Sequence, residues 1–144
     1  MLIMSVFNVF DVAGSGMSSQ MLRLNTVASN LANAETISGN KNDVYKTRHP
    51  IFESVLQQAG SLNGGDEVAV VKVRGIMQEE TSAIPHYRPN HPLANDDGYV
   101  FSPNIDAVAE MADMISASRS YQNNVEVLST TKELLLRTLQ LGQG

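Results

Sequence analysis

Apolar residues recur every three or four positions at both ends of this 144-residue chain, while the rest of each stretch carries almost no charge. At the N-terminal end the series is Val6, Phe10, Ala13, Met17, Met21, Leu24, Ala28 and Leu31, in steps of 4, 3, 4, 4, 3, 4 and 3. Such spacing keeps one stripe of a helix apolar, and the extra four-residue step near Gly14 and Gly16 locally unwinds a supercoil. At the C-terminal end Met111, Met114, Ser118, Tyr121, Val125, Leu128, Lys132, Leu135 and Leu139 alternate steps of three and four. A chain with two such stripes must pair its ends or find partners for them.

The opposite faces narrow the choice. Between Ser15 and Thr36 the only charged residues are Arg23 and Glu35, and the surface is otherwise Ser18, Asn25, Thr26, Ser29, Asn30 and Asn33. Asparagine costs about 0.6 kcal/mol against alanine in a helix, so a series of them needs another use. An amide supplies donors and an acceptor with no charge to desolvate, which suits polar contacts between closely packed helices. The C-terminal stretch repeats this chemistry with Ser116, Ser118, Ser120, Gln122, Asn123 and Asn124. Both helices are therefore expected to be surrounded by other protein.

The N-terminal helix is expected over most of residues 5–35, ending before Gly39. Gly14 and Gly16 either break it at residues 11–15 or allow a neighbour to approach closely. Asp106 is the expected N-cap of the second helix and Gly142 its close. At 1.5 Å per residue that helix would extend about 50 Å, too long for a compact domain of this size to cover, so it is expected to project. In the middle, residues 49–60 read as a short amphipathic helix begun by Pro50 and stopped by Gly60. A turn at 62–66 leads to a β-branched run, residues 67–77, whose alternation is imperfect because Val68 and Val70 are out of phase with Val71 and Val73. Asp97-Gly98 predicts a turn before a short strand at 99–101, and Pro85, Pro89 and Pro92 predict an extended, irregular segment. The expected fold is mostly α with a small β-containing middle, the long terminal helices pairing as a coiled-coil-like core beside a short mixed outer domain. The parts are residues 1–36, 37–105 and 106–144.

Several function classes drop out. A formal net charge of -5 with no basic cluster disfavours nucleic acid. The absence of cysteine removes disulfides, thiolate metal sites and cysteine nucleophiles. The start "MLIMSVFNVFDVAG" has no basic residue before its apolar run and Asp11 interrupts it, so neither a secretory signal nor a membrane span is expected. His86 and His91 stand near Asp96 and Asp97, but there is no HExxH or paired CxxC frame, and these residues read as fixing an extended loop. No serine elbow or phosphate loop occurs, and Glu79–Glu80 read as solvated turn residues. No catalytic, cofactor-binding or metal-binding residue is expected, no cofactor, and no small-molecule substrate.

The residues that carry a resemblance are these same helices. "SQMLRLNTVASNLANAET", with its Ser29, Asn30, Leu31, Ala32, Asn33 core, resembles the N-terminal signature of bacterial flagellar axial proteins, the rod and hook family. "YRPNHPLANDDGYVFSPNID" and the helix after it are similar to short proximal-rod members of that family. The resemblance implies a structural, non-catalytic subunit, exported by the flagellar type III apparatus without a cleaved signal peptide. It implies assembly with itself and other rod subunits into a helical tube in the periplasmic basal body, transmitting torque. On that basis Leu24, Leu31, Val125, Leu128, Leu135 and Leu139 are expected to form the helix–helix seam within a subunit. Asn30, Asn33, Tyr121, Gln122 and Asn123 are expected to make contacts between subunits. The alternative is a soluble helical adaptor or export chaperone that never polymerises.

Overall fold

The computed structural model describes residues 2–58, 67–80 and 82–142, the side chains of 2–6, 58 and 67 excepted. The order is α1 (Leu2–Asn33), a 3-10 turn (Lys41–Asp43), β1 (Arg48–Gln58), β2 (Glu67–Gln78), β3 (Ile84–Tyr87), β4 (Tyr99–Ser102) and α2 (Ala107–Leu141). The helices hold 32 and 35 residues, so the fold is mostly helical with a small β-containing middle. No helix among the described residues is long and apolar enough to cross a membrane.

α1 passes through Gly14 and Gly16 without a break, so those glycines do not end it. It stops at Asn33, where the Thr36 hydroxyl donates to the Asn33 carbonyl at 2.7 Å and satisfies one of the last free acceptors. The cap of α2 is the expected one. Asp106 Oδ1 accepts from the amides of Val108 at 2.9 Å and Ala109 at 3.2 Å, and its charge faces the positive end of the helix dipole.

Of the expected helix at 49–60, the described residues 49–58 are not helical. Through Gln58 they are strand β1, which pairs with β2 in a two-stranded sheet, while Gly60 and the turn at 62–66 lie outside the described residues. An amphipathic helix needs a covered face, yet Phe52 and Leu56 stay 36% and 66% exposed. Ile51, Phe52 and Val55 suit a pleated ribbon, and pairing with the β-branched β2 overrides the helix-like spacing. In β2 the out-of-phase residue Val70 is the buried one, at 4%, while Val71 and Val73 are exposed.

The chain forms two compact units, each drawing on both helices and both long strands. The first comprises Met1–Leu22, Ile51–Gly75 and Ala117–Gly144. Its core side chains are Ala13, Val70 and Ala117, and Val71 N donates to Ser15 Oγ at 3.2 Å. The second comprises Arg23–Pro50 and Ile76–Ser116. There β3 and β4 pair antiparallel with Pro85 opposite Phe101. Phe101 exchanges both backbone bonds with Ser38 at 2.8 Å, so β4 is also paired on its other edge. Pro85 therefore sits where no donor is asked of it, which is why a proline-rich segment can still form a strand. Gly98 takes φ +81° in the turn before β4, a conformation that favours glycine. Val100, fully buried, forms the centre of this unit.

Candidate functional site

The candidate site is the pair of terminal helices, since the opposing faces and the unpaired apolar surface both belong to it. In the first unit α1 and α2 approach at Gly16. A Cβ built there would lie 2.8 Å from Asn124 Nδ2 and 3.4 Å from its Cγ. Around this crossing Ala13 is 4% exposed and Ala117 is fully buried. Small side chains thus let the helices close, and an amide fills the gap that a larger pair would otherwise occupy.

The inner face of α2 is not the most apolar one. Glu110 and Ala117 are buried, and Asn124 and Thr131 are half-buried, each seven residues after the last. Met114, Tyr121, Leu128 and Leu135 flank them, half-buried. The neighbouring row is turned out, with Met111 52%, Val125 42% and Leu139 51% exposed. Of this row, one residue earlier than the apolar spacing indicates, Glu110 meets Asn30 of α1 in the second unit and Asn124 meets Gly16 of α1 in the first. α1 behaves alike, with Val27 buried and Gln20 half-buried where the spacing points to Ala28 and Met21, both exposed.

Placed one by one, Leu24, Leu31, Leu128 and Leu135 are half-buried, whereas Val125 and Leu139 are exposed in the single chain. Asn33 is half-buried, and its Nδ2 donates to the Ser29 carbonyl one turn back at 2.8 Å. Tyr121 is half-buried, and Gln122 and Asn123 are exposed. Asn30 departs from its expected place between subunits, because it is fully buried inside its own chain. Its Nδ2 donates to the Arg48 carbonyl at 2.9 Å and to both Glu110 carboxylate oxygens at 3.2 Å. Its Oδ1 accepts from the Tyr45 hydroxyl and from Arg48 N, both at 3.0 Å. Two donors and two lone pairs are all engaged, so nothing of this amide remains for a neighbour.

Sequence reasoning missed the residues around Asn30. Tyr45 also meets Ser29 Oγ at 3.1 Å, and the Arg48 guanidinium lies 5.7 Å from the Tyr45 ring centre. Arg23 bridges α1 to α2 through Asp113 at 2.9 Å. The one available signal was the seven-residue spacing of Glu110, Ala117, Asn124 and Thr131, masked by the stronger apolar series beside it. The histidines serve local structure. His91 Nδ1 accepts from Leu93 N at 3.1 Å and His86 Nε2 lies 2.9 Å from Ser102 Oγ. Among the described residues no group of three His, Asp or Glu side chains is placed to hold a metal ion.

The Gly16 crossing yields a prediction. Gly16→Ala gains about 1 kcal/mol of helix propensity and displaces only the end of the Asn124 side chain, so the melting temperature should not fall. Gly16→Leu has no such escape and should cost about 2 kcal/mol of helix pairing. Thermal unfolding followed by circular dichroism compares them, and equal melting temperatures for the two would show that the crossing is not close.

Comparison with known proteins places these helices in context. Residues 10–37 match the family model described as flagella basal body rod protein, and residues 96–141 match that of the flagellar basal body rod FlgEFG protein C-terminal region. The flagellar basal-body rod protein FlgC of Yersinia enterocolitica is 46% identical over 140 residues, covering 97% of this chain and all of the relative. Its counterpart in Salmonella typhimurium is 44% identical with the same coverage. That of Aquifex aeolicus is 41% identical over 138 residues, covering 96% of this chain and 98% of the relative. With the match running through α1, the β-containing middle and α2 alike, the chain belongs to the FlgC family of flagellar basal-body rod proteins.

Proposed function

We propose that this chain, a structural subunit of the flagellar basal-body rod, builds that rod by laying its paired terminal helices against those of its neighbours in a helical tube. The observation that carries the proposal is the apolar surface left open on α2. In the first unit Val125, Leu134, Leu136, Leu139 and Leu141 are between 42% and 85% exposed. In the second unit Val108, Met111 and Ile115 are between 52% and 76% exposed. Single exposed apolar residues are ordinary on a monomer, but successive ones along one helix indicate a surface meant to be covered. Beside them, in the first unit, a groove of about 460 Å³ is lined by Val9, Val12, Asn124 and Val127 among others, ready to take a neighbouring side chain.

The mechanism follows from these exposures. Burial of about 25 cal/mol per Å² across repeated contacts supplies the driving force. Contacts repeated by a screw operation give a tube that does not close on itself, so another kind of rod subunit must end its growth. The outer parts of the helices gain enough partners to offset their ordering entropy only on assembly, which couples their order to polymerisation. The resulting shaft transmits torque across the periplasm, and the subunit reaches it through the flagellar type III export apparatus without signal cleavage. The adaptor or chaperone reading draws no support from the comparisons, in which the full-length relatives are named rod proteins.

Val125→Asp with Leu139→Asp tests the proposal, because both side chains are exposed in the single chain. The variant subunit should accumulate normally, yet cells should not swim and the subunit should be missing from purified basal bodies. Normal swimming would remove the outer row of α2 from the assembly surface.

A further inference from the structure

We infer that Asn30 is an amide latch that lets the second unit fold in the free subunit, before any neighbour is present. Three stretches of chain converge on this one side chain: the end of α1, the segment entering β1, and the first turn of α2. Arg48 is the first residue of β1, and Asn30 takes both of its backbone polar groups. The amide thereby acts as a neighbouring strand would, setting where β1 begins relative to α1. Its remaining N–H capacity goes to Glu110, which is 7% exposed, and this ties α2 into the same point. Arg23 and Asp113 add a second tie between the same helices, and buried Val100 supplies an apolar centre within the unit.

These bonds are complete within one chain. The polar groups around Asn30 and Glu110 therefore have their partners already, although Val108, Met111 and Ile115 beside them stay uncovered, as do Phe7, Val12, Val125, Leu134 and Leu139 in the outer parts of both helices. Each terminal helix divides into an inner part ordered by its own subunit and an outer part that waits for assembly. The latch stands on this chain's own hydrogen bonds, and only the behaviour of the outer parts rests on the assembly proposal.

Hydrogen exchange followed by mass spectrometry on the full-length free subunit tests the inference. Peptides from residues 23–33, 44–50 and 107–116 should be protected together, and more strongly than those from 7–20 and 120–141. Asn30→Asp removes two donors and sets a second carboxylate against Glu110, so all three stretches should lose protection about ten- to hundredfold. Adding Glu110→Gln returns a donor–acceptor pair with its polarity reversed and should restore much of that loss. Asn33→Ala, which removes a bond to its own helix, should change little at 44–50 and 107–116.

Two results would overturn the latch: the three stretches exchanging as fast as the helix ends in the parent protein, or a double variant no better protected than Asn30→Asp. Uniform protection from residue 7 to 141 in the free subunit would instead refute the assembly-coupled ordering and leave the latch in place.

Discussion

Gly39→Ala is expected to destabilise the second unit by about 3 kcal/mol, lowering its melting temperature by roughly 15 °C. A Cβ on this residue would lie 2.5 Å from the Leu93 carbonyl oxygen and 3.5 Å from its carbon. The obstacle is backbone, so no rotamer change relieves it. Neither side can retreat without breaking other bonds. Ser38 is held to Phe101 by two bonds of 2.8 Å. Across from it, Ala94 N donates to the His91 carbonyl and Asn95 N to the Tyr99 carbonyl, each at 2.9 Å. Gly14→Ala is the matched control. Nothing lies within 4 Å of a Cβ there, and the change should add about 1 kcal/mol of helix propensity. Thermal unfolding followed by circular dichroism reads both, and a Gly39→Ala protein melting within about 2 °C of the parent would contradict the close approach.

Leu128→Asp is expected to abolish swimming and rod assembly while expression continues. Leu128 is half-buried on α2, between Asn124 and Thr131 on the inner side and Leu135 one step on. An aspartate there gives up apolar burial and places a charge at a half-buried position, which the exposed Lys132 one turn on offsets only by a few tenths of a kcal/mol. The two effects together cost roughly 3 kcal/mol, enough to part a helix pair held by small and polar side chains. The result differs in kind from Val125→Asp with Leu139→Asp, which leaves the subunit's own helices together and removes only surface for a neighbour. Motility plates and subunit counts in isolated basal bodies check the prediction, and a swimming Leu128→Asp strain would detach this residue from the helix pairing.

Much of the architecture was legible because local chemistry decides it. The apolar period marks both helices, the Asp106 carboxylate caps the amides of α2, and the Asp97-Gly98 pair makes the turn that φ +81° at Gly98 requires. The signature around Asn30 and the stretch from Tyr87 through α2 also pointed to the flagellar axial proteins before any coordinates. Residues 49–58 were misjudged because their helix-like spacing is local, whereas their strand state depends on β2, a partner at a distance in the chain. The roles of Tyr45, Arg48 and Glu110 were hidden for the same reason: no spacing rule connects a strand's first residue to an asparagine eighteen positions earlier.

By itself the sequence determined that two helices bracket a small β-containing middle, where one is capped, and which family shares the pattern. These follow from interactions within a few residues of each other. The tertiary structure decided which side of each helix turns inward, and that Asn30 closes its bonds inside the subunit. Apolar periodicity measures only how greasy a stripe is. Whether that stripe faces its own partner or the outside depends on close approach at Gly16 and on the saturation of buried polar groups, neither of which exists until the chain is folded.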